Sequence, residues 1–276
     1  MYHRLAQIDL KDVDARFSIL LMLLAPTAFV LFAPYSEALF LLCAACTFYW
    51  ARQRRWWLAA LTGGLATLTR QQGLLLLFPV AYEMWEESTY SWKRLQTGWY
   101  KYLSIGVFPL CYALWIGYRT IFLGDINFTF GSIQRFIYSW LISPSAVEVV
   151  PQQSFTWPWR AIWFALQKLI AQPDVDIWVT FILAIIFLIL LSLAWKTMRP
   201  AYRIYAILVT LVSFSYYTGP FHPYMGLPRH LLLAIPVFIY SAPVINRPIL
   251  RPIALTLLGI GYFLQLFLYC LEAWVV

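Results

Sequence analysis

Ionisable side chains are sparse in this sequence, and three short segments carry those whose types and spacing could do chemistry. The first segment is Pro34-Tyr35-Ser36-Glu37, which reads as a tight turn between two apolar runs. A carboxylate at Glu37 could accept a proton or orient a substrate hydroxyl, and Tyr35 beside it is a candidate binding residue. The alternative is structural, because an acid in the first turn of a helix interacts favourably with the helix dipole. The two roles can coexist.

Arginine marks the other two segments. Arg70 lies in Thr69-Arg70-Gln71-Gln72-Gly73, and Arg229 and His230 close a Pro/Gly-rich stretch just before another apolar run. A guanidinium offers a planar fork of donors that matches phosphate oxygens. A cation at a helix start opposes the helix dipole, so a nearby anion would stabilise Arg229. The alternative for Arg70 is a side chain that reaches the membrane surface and caps helix carbonyls.

Metal and nucleotide chemistry are not favoured by the sequence. The three histidines are far apart, and no acidic cluster with metal-ligand spacing accompanies them. The glycines form neither a P-loop nor a dinucleotide-binding pattern. We therefore expect no metal and no cofactor.

The elements that must position these residues are membrane helices. Of the 276 residues, 62% are hydrophobic and only 12% are charged, whereas soluble domains carry roughly 25% charged residues. A soluble enzyme is excluded because one core of this size could not bury so much apolar surface. The net charge of +8 is spread in short clusters between apolar runs, which is typical of membrane topology and does not indicate a nucleic-acid partner.

The pattern predicts an all-α, polytopic bundle of about eight or nine spans, several of them short or kinked by proline. We treat residues 1–276 as a single membrane domain. The apolar runs cover residues 17–34, 37–51, 56–69, 73–83, 100–118, 177–195, 203–217, 230–246 and 253–272.

Charge asymmetry sets the predicted orientation. Residues 56–83 could form one long helix or two short helices joined at Arg70. With two helices, 14 of the 20 Lys and Arg residues face the cytoplasm, as the positive-inside rule favours. The N-terminus is then cytoplasmic, and Glu37, Arg70 and Arg229 lie together on the outer side.

This orientation places one long loop, residues 119–176, outside. It contains Asp125, a further candidate binding residue, and Trp157-Pro158-Trp159, which is followed by an amphipathic pattern over 160–170. We interpret that pattern as a helix lying at the membrane surface. The alternative is an aromatic belt without a chemical role.

An ordered set of motifs resembles a known family. The set comprises Pro26-Thr27-Ala28-Phe29, Ala33-Pro34-Tyr35-Ser36-Glu37-Ala38-Leu39-Phe40, Arg54-Arg55-Trp56-Trp57, Gly64-Leu65-Ala66-Thr67-Leu68-Thr69-Arg70-Gln71-Gln72-Gly73, Gly124-Asp125 and Leu227-Pro228-Arg229-His230. In this order the motifs resemble the PIG-V-like mannosyltransferases, which are integral-membrane glycosyltransferases of the C-type fold related to the second mannosyltransferase of GPI-anchor synthesis. The similarity covers most of the chain and is strongest over residues 20–85.

The resemblance implies transfer of a sugar, with mannose expected, from a polyprenyl-phosphate-linked donor to a glycan or glycolipid on the extracytoplasmic face. The expected partners are therefore the lipid-linked donor, the acceptor and membrane lipid. Tyr35, Glu37, Arg70, Asp125, Arg229 and His230 are the substrate-binding candidates. The multi-pass chain is expected in a bacterial plasma membrane, or in the ER membrane if it is eukaryotic.

One family feature has no counterpart in this sequence. Members carry an acid in a first extracytoplasmic loop as the expected base, whereas residues 1–10 here resemble a segment that follows several spans in the relatives. We therefore expect this chain to be the C-terminal part of a longer enzyme, with the catalytic acid upstream of Met1. The alternative is a non-catalytic membrane partner or lipid-glycan-binding subunit of the same ancestry.

Overall fold

In the computed structural model, residues 1–88, 99–123, 154–171, 175–219 and 223–271 are described, and this part of the chain is mostly helical. The helices are α1 (Tyr2–Asp9), α2 (Asp12–Leu23), α3 (Glu37–Arg52), α4 (Trp56–Thr69), α5 (Leu77–Glu87), α6 (Trp99–Tyr102), α7 (Val107–Phe122), α8 (Pro158–Ala171), α9 (Val175–Trp195), α10 (Pro200–Ser215), α11 (Leu227–Leu231), α12 (Ile235–Ile245) and α13 (Leu250–Cys270). Short 3₁₀ helices cover Pro26–Leu31, Gln71–Leu76 and Leu103–Gly106. The predicted all-α class is confirmed for the described residues.

Within this part of the chain, three helical segments are long and apolar enough to cross a membrane. They are Trp99–Phe122, which joins α6 to α7, together with α9 and α13. The apolar helices α10 and α12 are shorter. These segments support the prediction of a membrane protein, but they do not confirm about eight or nine spans, each of which would need roughly 20 residues.

The other apolar runs form short or interrupted helices. The run over 17–34 divides because α2 ends at Leu23 and a 3₁₀ helix begins at Pro26. Proline lacks an N–H and suits the first position of a helix, so it separates the two segments. Helix α3 has 16 residues, which gives a length of about 24 Å, less than the roughly 30 Å of a hydrocarbon core.

The core lies where α3, α4, α5 and α10 pack together. Phe48 is fully buried in α3, and its ring meets that of Tyr205 edge to face at 5.0 Å between centroids. The Tyr205 hydroxyl donates a hydrogen bond to the carbonyl of Leu233 at 3.2 Å. Helix α7 packs against α4 through Gly63, where an added Cβ would lie 2.1 Å from the Phe108 ring.

A network of charged and polar side chains joins the helix ends opposite Glu37. Arg52 at the end of α3 donates to Asp9 at 2.8 Å, and the Tyr240 hydroxyl donates to the same carboxylate at 2.7 Å. Arg199, just before α10, contacts Glu86 of α5 at 2.8 Å. The predicted orientation places these groups, which we call the charge network, at the cytoplasmic side. The first set joins α1, α3 and α12, and the second joins α5 to the start of α10.

Helix α8 is linked to the chain that leads into α11. Strand β1 (Ser154–Phe155) pairs antiparallel with β2 (Tyr216–Tyr217), with Ser154 opposite Tyr217 and Phe155 opposite Tyr216. Helix α8 buries Ala161 and exposes the large rings of Trp159 and Trp163. The predicted amphipathic helix is therefore present, and its position at a membrane surface remains a prediction.

Candidate functional site

Glu37 occupies the first position of α3 and is only 1% exposed. The preceding residue, Ser36, makes no side-chain hydrogen bond to the helix start. The backbone N–H groups of the first turn have no partner within the helix, so this end carries a partial positive charge. The structural role proposed for Glu37 is thus compatible with its position, and its burial brings the carboxylate into contact with other side chains.

Arg70 is held at a sharp break between α4 and the following 3₁₀ helix. Its backbone is extended, with φ −152° and ψ 142°, so two helical segments are present where one long helix was the alternative. Gly73 packs directly against the end of α4, where an added Cβ would lie 2.3 Å from the backbone nitrogen of Thr67. This close backbone contact fixes the direction in which the Arg70 side chain leaves the turn.

Arg229 is held by a second tight turn, at the start of α11. Gly226 has a φ of +83°, a conformation that residues with a Cβ rarely adopt. A Cβ at this glycine would lie 3.2 Å from Nη2 of Arg229. On its other side, the guanidinium lies over the ring of Tyr35, 5.0 Å from the centroid. Tyr35 therefore contacts the same arginine that the glycine turn accommodates.

Both guanidinium groups meet at one carboxylate oxygen. Nη1 of Arg70 and Nε of Arg229 form ion pairs with Oε1 of Glu37, the latter at 3.1 Å. Two positive charges and one negative charge leave a surplus of one positive charge in a nearly buried position. The arginine side chains remain 14% and 25% exposed, so a ligand can reach them where it cannot reach Glu37.

His230 adds a neutral ring to this group. It is 6% exposed, and its ring centroid lies 5.7 Å from that of Tyr216. Burial, with the nearby charges of Arg70 and Arg229, lowers the pKa of His230 to about 3. The imidazole is therefore uncharged at neutral pH and adds nothing to the positive charge of the site.

An apolar cavity of about 50 Å³ is lined in part by residues that flank Arg229 in the chain. Its lining includes Pro228, the residue preceding Arg229, and extends to Phe187 and Leu190 in the middle of α9. The Thr27 hydroxyl donates to the Pro228 carbonyl at 3.5 Å on the near side. Because one water molecule needs about 10–15 Å³, the cavity has room for a short length of aliphatic chain.

The structure brings together five of the six binding residues expected from the sequence. Tyr35, Glu37, Arg70, Arg229 and His230 form one group, whereas Asp125 lies outside the described residues. Sequence reasoning missed Tyr216 and the apolar cavity. Tyr216 stands in an aromatic Tyr-Tyr pair with no distinguishing motif, and the cavity is assembled from residues that are distant in sequence.

The hydrogen-bond donors of this group are suited to binding an anion. The charged side chains that reach its exposed side are two arginines, and guanidinium groups bind phosphate and carboxylate oxygens in preference to metal ions. Among the described residues, no group of three or more His, Cys, Asp or Glu side chains is close enough to hold a metal ion. We therefore define the arginine site as Tyr35, Glu37, Arg70, Arg229 and His230.

Comparison with known proteins gives no relative for this chain: no protein-family model, curated protein or solved structure matches it.

Proposed function

We propose that this chain is a membrane glycosyltransferase, with mannosyl transfer expected, that uses a polyprenyl-phosphate-linked sugar on the extracytoplasmic face. The observation that carries the proposal is the pair of guanidinium groups held on Glu37 at one end of the bundle. The surplus positive charge would stabilise the phosphate as it becomes the leaving group, which is the charge that develops during such a transfer. The acceptor would be a glycan or a glycolipid.

The apolar cavity supports a lipid-linked substrate over a soluble one. A phosphate on Arg229 would place the attached chain near Pro228, which is one of the residues that line the cavity. From there the cavity leads towards the middle of α9, one of the helices long enough to cross a membrane. A single ligand with a charged head and an aliphatic tail could therefore occupy both features.

The proposal assigns phosphate binding to the arginine site and does not assign the base. Glu37 is ion-paired with both arginines and is almost inaccessible, so an acceptor hydroxyl cannot reach it in this conformation. The proton of the acceptor would pass to a carboxylate elsewhere. The family resemblance places such an acid in an extracytoplasmic loop.

Binding of a labelled polyprenyl-phosphate mannose in lipid nanodiscs, followed by its transfer to an acceptor in the presence of the acid-bearing loop that the family resemblance implies, tests the proposal. Arg70→Gln and Arg229→Gln should each lower donor binding by about 10-fold to 100-fold, because each removes a charge-assisted hydrogen bond worth roughly 1.5–3 kcal/mol. Arg160→Gln is the matched control, since Arg160 lies in α8 and is not part of the arginine site.

Two results would separate the competing functions. Transfer from a nucleotide sugar at the cytoplasmic face, with none from the lipid-linked donor, would contradict the proposal. Donor binding that depends on both arginines, without turnover, would favour the second candidate, a lipid-glycan-binding subunit. The burial of Glu37 in its ion pairs favours that candidate, because it leaves the site with charge for binding but no accessible base.

A further inference from the structure

Glu37 fills the position that an anionic ligand would take between the two arginines. Its Oε1 atom contacts Arg70 and Arg229 at once, and no other carboxylate of the described residues forms an ion pair with either. A phosphate oxygen bound by both guanidinium groups would need the same donors. The carboxylate therefore resembles a ligand that is attached to the protein.

The ion pairs of Glu37 leave much hydrogen-bonding capacity unused. Both carboxylate oxygens, Nη1 of Arg70 and Nε of Arg229 are buried and have no well-aligned hydrogen bond to the described part of the chain. Arg–carboxylate pairs are frequently bidentate, with two parallel N–H···O bonds. Buried polar atoms without such partners cost free energy, so this arrangement can be replaced by one that satisfies more donors.

A second position for the carboxylate exists at the start of α3. Glu37 is the first residue of this 16-residue helix, and Ser36 does not cap it. The N–H groups of the first turn could donate hydrogen bonds to a carboxylate that had left the arginines. Because Glu37 is itself the first residue of α3, its carboxylate would have to move by only the length of its own side chain.

We propose that Glu37 is a tethered competitor, which holds Arg70 and Arg229 together in the empty protein and leaves them when a phosphate group enters. This inference rests on the proposed function, since it requires the arginine site to bind phosphate. It adds that the site is closed by its own carboxylate before the ligand arrives. Binding of the phosphate then exchanges one anion for another and frees Glu37.

Phosphate affinity of three proteins in nanodiscs tests the exchange. The probes are inorganic phosphate and farnesyl phosphate, measured on wild type, Glu37→Gln and Glu37→Asp. Glu37→Gln should bind both probes about 10-fold more tightly, a factor that corresponds to roughly 1.4 kcal/mol. Glu37→Asp keeps the charge but shortens the side chain, so it should lose contact with one arginine and give an intermediate gain.

The aspartate variant distinguishes competition by contact from a simple change of net charge. Tighter binding by Glu37→Gln with unchanged binding by Glu37→Asp would overturn the inference, since long-range charge alone would then explain the gain. Weaker binding by Glu37→Gln would also overturn it and would make Glu37 a positioning residue for the arginines. If Glu37→Gln binds only farnesyl phosphate more tightly, the result supports exchange with a lipid-borne phosphate. If it binds both probes more tightly, the result supports exchange with any phosphate.

An infrared difference spectrum of wild type upon phosphate addition provides a measurement that does not depend on the folding of a variant. Release of Glu37 should change the carboxylate stretching bands of protein labelled with ¹³C-glutamate. Bound phosphate without any change in the labelled bands contradicts the exchange but leaves the proposed function intact. Failure of every protein to bind either phosphate contradicts both.

Discussion

Glu37 illustrates how a residue can satisfy two requirements at once. Its place at the first position of α3 suits an acid because of the helix dipole, and its contacts with Arg70 and Arg229 compensate two cations that would otherwise repel each other. Tyr35, directly before the helix, offers its ring to Arg229. The Tyr-Ser-Glu turn therefore supplies both an aromatic surface and a carboxylate to the arginine site.

At the same scale, His230 should make stability depend on pH. The unfolded chain would protonate this histidine near its ordinary pKa of 6.5, whereas burial and two nearby cations lower the pKa to about 3 in the folded protein. The unfolded state then binds more protons than the folded state between these values, so the contribution of His230 to stability is lost as pH falls through this window.

Thermal unfolding of wild type and His230→Asn in detergent, followed as pH decreases from 6.5, measures this effect. The decrease in Tm should be smaller in His230→Asn, because asparagine takes up no proton in the unfolded chain. Parallel decreases in the two proteins would show that other groups cause the pH dependence.

At the scale of elements, broken helices determine where the arginines point. Arg70 stands between α4 and a 3₁₀ helix, and Arg229 stands in the short helix α11, which ends before α12 begins. In a continuous helix, the backbone N–H and C=O groups at both positions would be hydrogen-bonded within the helix. The breaks instead place each guanidinium at the end of a helix, next to the start of α3.

Gly73 is the residue that keeps the first break closed. In Gly73→Ala, the added Cβ would lie 2.3 Å from the Thr67 nitrogen and 2.4 Å from the Ala66 carbonyl carbon. Both are backbone atoms that cannot move without separating the two segments, so we expect a loss of about 2–4 kcal/mol in stability and a decrease in phosphate binding.

Gly117→Ala is the matched control, because a Cβ at this helical glycine has no neighbour within 4 Å. Unfolding in graded SDS, together with binding of farnesyl phosphate, provides both measurements. Equal effects of the two substitutions would mean that the close contact at Gly73 does not fix Arg70.

For the whole molecule, the charge network and the arginine site lie at opposite ends of α3. Arg52 of the network ends this helix, and Glu37 of the arginine site begins it. The positive-inside rule assigns the first end to the cytoplasm and the second to the outer side. The arginine site would then meet only substrates that are exposed on the outer face.

Cysteine labelling in intact cells tests this orientation. Ser36→Cys and Thr197→Cys replace exposed residues near the two ends, in a background in which Cys43, Cys46, Cys111 and Cys270 are replaced. A membrane-impermeant maleimide should label Ser36→Cys in intact cells and Thr197→Cys only after the membrane is opened. The reverse pattern would place the arginine site in the cytoplasm and contradict the proposed donor.

Composition and local patterning by themselves determine the helical, membrane-embedded class of this protein and the position of one helix break. The excess of apolar residues predicts membrane helices, and the distribution of Lys and Arg favours the break that follows α4 at Arg70. Such features depend on neighbouring residues, whose periodicity and backbone preferences can be derived from the sequence alone. The predicted number of spans is not confirmed, because several apolar runs contain helices that are shortened or divided near Pro26 and Pro236.

Only the tertiary structure decided that Arg70 and Arg229 share one oxygen of Glu37. The three residues belong to segments far apart in the chain, and their meeting depends on how α3, α4 and α11 pack. The same holds for the neutral state of His230 and for the apolar cavity lined by Pro228. Burial, electrostatic interaction and enclosed volume arise from contacts between distant segments. A local pattern of residues therefore does not predict them.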